Sequence, residues 1–200
     1  MTQNKTPVIG VTGITGSGAS TVAGFLEEMG GFVVSADKLA HEAMRKGMPA
    51  YEKIIAFFGG EVLLPDGEID RRALGKIVFR ENDKLELLEG IVHPVVKHGC
   101  KEMIGNCGKP FAVIDAPLLL ESGLGVVCDQ VWLVSALNCE RFDRIMERDG
   151  LTREEAFSRL IVRQNEMDLR EAADVIIYNS LGLDELKKQV KKRLDVIMRG

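Results

Sequence analysis

The segment Gly13-Ile14-Thr15-Gly16-Ser17-Gly18-Ala19-Ser20-Thr21 carries the clearest chemistry in this chain. Glycines at 13, 16 and 18 let the backbone turn tightly and aim several N–H groups at one point. The segment follows an apolar run and opens a helical one, the context that a phosphate-binding loop requires. Amides at a helix N-terminus hold phosphate because their unpaired donors and the positive end of the helix dipole meet the same anion. Ser20 stands where a hydroxyl would meet a magnesium ion bridging two phosphates. The nucleotide-binding set read from this spacing is Gly13, Gly16, Ser17, Gly18, Ala19, Ser20 and Thr21. One position breaks the pattern: a lysine normally follows the last glycine and reaches the outer phosphates, and here the residue is Ala19. Losing a positioned charge from such a site costs about 2–4 kcal/mol, roughly 10²–10³ in rate. Ala19 reads three ways: an introduced substitution, a natural departure in which another cation acts, or the mark of a non-catalytic paralogue. The plain alternative for the whole segment is a glycine turn that only packs a helix against a strand.

Other residues could complete a phosphoryl-transfer site. Asp37 ends Val33-Val34-Ser35-Ala36-Asp37 and begins a helical stretch. It either orients an acceptor hydroxyl and takes its proton, or caps the helix. Asp115 closes Phe111-Ala112-Val113-Ile114-Asp115 and either holds the magnesium shell through water or caps the next turn. Arg141, Arg144 and Arg148 step by three and four residues and so share one helix face, with Arg153 and Arg163 beyond them. An arginine-bearing lid covers phosphates and excludes water. The interspersed glutamates equally suit an ordinary solvated face. His93-Pro94 reads as a kinked helix or as a substrate contact.

These residues need elements to position them. Valine- and isoleucine-rich runs predict strands at Val8–Thr12, Gly31–Ser35, Phe111–Asp115, Gln130–Ser135 and Asp174–Tyr178. Their apolar residues are nearly continuous, as in parallel strands buried on both faces. Helical patterns lie near Ser20–Met29, Asp37–Arg45, Arg71–Phe79, Asp83–Ile104, Cys139–Arg148, Thr152–Gln164 and Leu183–Ile197. Thr152 with Glu155 predicts a capping box, and Leu186, Val190, Leu194 and Ile197 line one face of the last helix. Strands alternating with helices imply an α/β fold with a doubly wound, parallel five-stranded sheet. The helical interval at about 40–105 interrupts that rhythm and is a candidate substrate-binding insert in a single 1–200 domain, with a lid at about 139–170.

Composition narrows the class. Of 200 residues, 46% are hydrophobic and 28% charged, enough apolar material for a core without a disulfide or metal. A net charge of −4 argues against a nucleic-acid protein that relies on bulk positive charge. The four cysteines form no CxxC pair and the three histidines lie outside zinc-ligand spacing, so free thiols are expected. Nothing reads as a signal peptide or a spanning segment, and a cytoplasmic location is expected.

Taken in order, the motifs resemble the dephospho-coenzyme A kinase family, whose members have a P-loop kinase fold. Its glycine-rich motif is similar to Gly13–Thr21 apart from Ala19 and the early loop, and its D-A-D segment to Ser35-Ala36-Asp37-Lys38-Leu39-Ala40-His41. Further likenesses are Asp70-Arg71-Arg72-Ala73-Leu74, His93-Pro94, Asp115 with Pro117, Leu118, Leu119 and Glu121, Arg144 through Asp149, and Ala173 through Asn179. The resemblance implies ATP- and Mg2+-dependent transfer of the γ-phosphoryl to the ribose 3′-hydroxyl of dephospho-CoA. It implies Asp37 as the catalytic carboxylate, Arg148 and Arg144 neutralising the transferring group, and His41, Arg72, His93, Pro117 and Leu118 at the acceptor. Ser20 and Asp115 would serve the metal. Ala19, Ser35 in place of an acid, and Leu169 where a basic residue is common depart from the family's pattern. They leave open a nucleotide- or CoA-binding paralogue, and a kinase for another small hydroxylated molecule.

Overall fold

The computed structural model describes residues 6–156 and 166–199. Its strands are β1 (Val8–Thr12), β2 (Phe32–Ser35), β3 (Ala112–Asp115), β4 (Gln130–Ser135) and β5 (Val175–Tyr178). Its α-helices are α1 (Ala19–Glu28), α2 (Ala36–Ala43), α3 (Pro49–Phe58), α4 (Arg71–Val78), α5 (Asn82–Gly105), α6 (Asn138–Asp149), α7 (Glu166–Ala172) and α8 (Leu183–Ile197). Residues 153–156 are also helical. The chain divides into two compact units, Met1–Val34 with Ile104–Gly200, and Ser35–Met103.

The first unit is organised by a five-stranded sheet in the order β2-β3-β1-β4-β5. β1 runs parallel to both β3 and β4, and β4 parallel to β5. Such neighbours cannot be joined by hairpins: α1 lies between β1 and β2, α2 to α5 between β2 and β3, a short 3-10 turn at Leu124–Val127 between β3 and β4, and α6 and α7 between β4 and β5. All five residues of β1 are buried, as its unbroken apolar run predicts. Alternate residues serve opposite faces. Ile9, Val11, Trp132 and Val134 pack with Val22 and Leu26 of α1 and with Leu186, Val190 and Leu194 of α8. Leu133, between Trp132 and Val134, joins Ile14 and Leu169 in a second cluster. Trp132 is fully buried, and its indole N–H donates to Gln130 Oε1 at 3.1 Å. Truncating it to alanine would cost about 3–5 kcal/mol.

The strand starts differ slightly from expectation. Gly31, Phe111 and Asp174 fall one residue outside their strands. Asp174 is drawn into another role, its carboxylate accepting from the amide of Val131 at 2.7 Å.

The second unit holds α2, α3, α4 and most of α5. Of these α3 was not predicted, although Pro49 occupies its first turn, where a missing N–H costs nothing, and Ala50, Ile54 and Phe58 form its buried stripe. A tight turn follows, with an antiparallel bridge between Leu63 and Ile69 and Gly67 at φ +84°. The Tyr51 hydroxyl donates to the Gly67 carbonyl at 2.5 Å and ties the turn to α3. α5 continues through Pro94 as one helix. The capping box stands: the amide of Thr152 donates to Glu155 Oε2 at 2.9 Å, and Thr152 Oγ1 accepts from the amide of Glu155. The rest of the helix expected over Thr152–Gln164, and Arg163 with it, lies outside the described residues. Among the described residues no helix is long and apolar enough to cross a membrane, and Cys100, Cys107, Cys128 and Cys139 are free thiols.

Candidate active site

The glycine-rich loop leaves the C-terminal end of β1, where β3 and β4 end on either side of it. Within it the amide of Ser17 donates to the Ile14 carbonyl at 2.9 Å. Gly16 and Gly18 take φ of +82° and +95°, a region that costs an L-residue roughly 1–2 kcal/mol. Gly18 caps α1 with no side-chain hydrogen bond, so the first-turn amides at Ala19 and Ser20 stay available to an anion. No acidic residue lies in that turn to repel one. Ser20 and Thr21 are exposed, whereas Ser17 is buried and its hydroxyl has no hydrogen-bond partner among the described residues.

Three side chains grip the carbonyls of this loop. Arg141 of α6 is only 5% exposed; its Nε donates to the Thr15 carbonyl at 2.9 Å and its Nη1 to Asn138 Oδ1 at 2.9 Å. Arg144, one helical turn on, donates through Nη1 to the Gly16 carbonyl at 3.4 Å and through Nη2 to the Asn179 carbonyl at 2.9 Å. Asn179, directly after β5, donates from Nδ2 to the Ser17 carbonyl at 2.8 Å. Burial lowers the pKa of the Arg141 guanidinium, and the nearby Glu166 charge opposes that. An arginine stays charged in either case. Arg148, two turns along α6 from Arg141, is turned elsewhere and is bidentate with Asp149 at 2.7 and 2.9 Å. The three arginines share a helix side, as their spacing predicts, but only Arg141 and Arg144 reach the loop.

A polar cluster sits at the end of β4. Ser135 Oγ donates to Glu166 Oε1 at 2.8 Å, and Arg170 donates to both. Burial pushes the Glu166 carboxyl up; hydrogen bonds from Ser135 and Arg170 and the charges of Arg170 and Arg141 outweigh it, leaving the pKa lowered. Asp115, the last residue of β3, pairs in register with Val11 and so lies at the loop's end of the sheet. Thr12 Oγ1 donates to the Pro117 carbonyl at 3.1 Å, fixing the path after β3.

In the second unit Ser35 caps α2, its hydroxyl accepting from the amide of Lys38 at 3.4 Å. Asp37 lies inside the first turn of that helix and is exposed. It is therefore not the cap that its position also suited, and its carboxylate remains at the surface.

A family model described as dephospho-CoA kinase matches residues 7–185. The chain belongs to the dephospho-CoA kinase family. It is 42% identical over 196 residues to a dephospho-CoA kinase of Bacillus licheniformis, covering 95% of this chain and 96% of that one. A dephospho-CoA kinase of Carboxydothermus hydrogenoformans is 37% identical over 187 residues, with 92% and 91% covered. Among solved structures, dephospho-CoA kinase from Campylobacter jejuni matches with a TM-score of 0.69 and 28% identity over 96% of this chain and 98% of that one. Shikimate kinase from Acinetobacter baumannii, 14% identical with a TM-score of 0.53 over 97% and 94% of the two chains, shares the fold.

The remaining residues expected from the dephospho-CoA kinase pattern fall as follows. His41 is exposed in the last turn of α2 and, with Arg45, Asp66, Glu68 and Arg71, lines a cavity of about 450 Å3. Arg72 is exposed on α4, where Asp70 caps the helix by accepting from its amide at 2.9 Å; Arg71 rather than Arg72 lines that cavity. His93 is half-buried within α5. Pro117 and Leu118 are exposed after β3, in the first unit. Leu169, at the position where the family pattern is commonly basic, is buried against Ile14 and Leu133, and the neighbouring Arg170 makes the polar contacts. The loop-gripping role of Arg141 and the Ser135–Glu166–Arg170 cluster had no signal in spacing. Asn179 was visible only as the end of a family motif.

Proposed function

We propose that this chain transfers the γ-phosphoryl group of ATP to the ribose 3′-hydroxyl of dephospho-CoA, yielding CoA and ADP. The observation that carries this reading is a glycine cradle with open helix-start amides, gripped by arginines, in a chain of this family. The loop amides of residues 16–20 bind and orient the outer phosphates. Asp37 takes the proton of the 3′-hydroxyl as its oxygen bonds to the γ-phosphorus and the bond to the β-phosphate oxygen breaks. Arg144 and Arg148 offset charge on the transferring group, Arg148 by exchanging its Asp149 partner for phosphate. His41, Arg72, His93, Pro117 and Leu118 hold the acceptor.

Magnesium fits the oxygen donors available: the exposed hydroxyl of Ser20 and the carboxylate of Asp115, acting through water. No group of three or more His, Cys, Asp or Glu side chains that could cage a metal occurs among the described residues. That suits an ion held chiefly by substrate phosphates. Held by Ser20 and Asp115, such an ion would supply positive charge to offset that of the substrate phosphates.

The test is dephospho-CoA-dependent formation of ADP in the presence of magnesium, with the product identified by mass. Product from the unaltered chain supports the reading. No product even with Ala19→Lys counts against the acceptor. Ala19 itself favours a second reading, binding of nucleotide or CoA without turnover. Calorimetry showing micromolar affinity beside a silent assay would select it, and robust product formation would end it.

A further inference from the structure

We propose that Arg141 and Asn179 are positioning residues that brace the phosphate loop from behind and hold its amides in their binding orientation. The inference rests on the loop being the triphosphate site. Arg141 Nε takes the Thr15 carbonyl and Asn179 Nδ2 the Ser17 carbonyl, at 2.9 and 2.8 Å. Across a planar trans peptide the C=O of one residue and the N–H of the next point in opposite directions. All described peptide bonds are trans. Fixing the carbonyls of 15 and 17 toward α6 and the β5 terminus therefore turns the amides of Gly16 and Gly18 the other way.

The glycines of the motif point to the same pair. A Cβ on Gly16 would lie 2.8 Å from the Arg141 carbonyl, and one on Gly18 would run into Asn179 Nδ2. Gly16 is thus needed where the backbone of α6 that carries Arg141 comes close, and Gly18 where the bracing Asn179 side chain itself does. Both bracing side chains are only 5% exposed and reach across more than a hundred residues of sequence. Inside the loop the Ser17 amide is tied to the Ile14 carbonyl, while the carbonyls of 15 and 17 are held from outside it.

Kinetics and hydrogen exchange on the full chain test this with Asn179→Ala, Arg141→Met and Arg141→Lys. Asn179→Ala and Arg141→Met should each raise KM for ATP at least tenfold while KM for dephospho-CoA stays within twofold. Arg141→Lys, which keeps the charge but not the fork, should fall between. Without nucleotide, the loop amides should exchange faster in the variants and those of β1 and β4 at the wild-type rate. Unchanged ATP KM in folded variants would overturn the brace. So would equal losses for both substrates accompanied by faster exchange throughout the sheet. If Arg141→Met does not fold, Asn179→Ala alone decides. Should the wild-type chain not bind ATP, the kinase reading fails, and the exchange comparison still judges the brace.

Discussion

The two units of this protein prepare their functional side chains in opposite ways. In the first, the glycine-rich loop is set before any ligand arrives: three consecutive carbonyls are held by Arg141, Arg144 and Asn179, and two glycines take positive φ that other residues rarely adopt. In the second, Asp37, His41 and Arg72 stand on helix surfaces with their functional groups exposed. Among the described residues these three side chains have no hydrogen-bond or ion-pair partner, so in the proposed reading it is acceptor binding that supplies the ordering that packing supplies to the loop. Ordering a long side chain costs on the order of 0.5–1.5 kcal/mol, and that cost is met during folding on one side and during binding on the other. The phosphate side should therefore tolerate little change, whereas the acceptor side should show its losses in turnover rather than in stability.

Substitutions can break or sharpen this contrast. The largest effect expected is at Asp37. Asp37→Asn should lower kcat by about 10²–10⁴ and leave the melting temperature and ATP affinity unchanged, as steady-state kinetics and calorimetry would show. A loss of ATP binding there would erase the distinction. Next is Ala19→Lys, which should raise kcat by about 10²–10³ by restoring a charge at the outer phosphates. A gain below tenfold would mean that Arg144 and Arg148 already supply it. Gly18→Ala should weaken ATP binding about tenfold or more, since it adds roughly 1–2 kcal/mol of backbone strain and a clash with Asn179. Gly24→Ala, in the same helix with open space around it, should instead stabilise the fold by roughly 0.5–1 kcal/mol in denaturant titration.

The smallest effect concerns pH. The Glu166 carboxyl is held below its ordinary pKa, so its bonds to Ser135 and Arg170 stabilise the fold above the unfolded value of about 4.3 and are lost as pH falls through the lower folded value. Thermal melting of Glu166→Gln should accordingly lack part of the wild-type loss below about pH 4.

How much of this was legible before the structure depended on range. The strands were readable because parallel strands buried on both faces leave near-continuous apolar runs, and the loop because its glycines occupy fixed offsets. α3 escaped because its apolar stripe of Ala50, Ile54 and Phe58 is interrupted by the equally apolar Ile55 and Phe57, which blur the period. Spacing on α6 treated Arg141, Arg144 and Arg148 as equals, since helical periodicity reports a shared face and not what lies opposite each turn. Arg141 becomes a buried anchor on Thr15 and Arg144 an intermediate on Gly16 and Asn179, partners more than a hundred or tens of positions away, whereas Arg148 pairs at the surface with its neighbour Asp149. Asp37 was read correctly as a helix-start acid, yet which residue caps the helix depended on backbone detail: Ser35, not Asp37, has the extended conformation of a cap.

One assay addresses the central claim most directly: incubating the unaltered chain with ATP, magnesium and dephospho-CoA, and following ADP and CoA together by mass spectrometry, with Asp37→Asn in parallel. ADP and 3′-phosphorylated product rising in equal amounts, and both falling by at least a hundredfold in the variant, is the predicted result. ADP released without CoA, or CoA formed equally well without the Asp37 carboxylate, would contradict it.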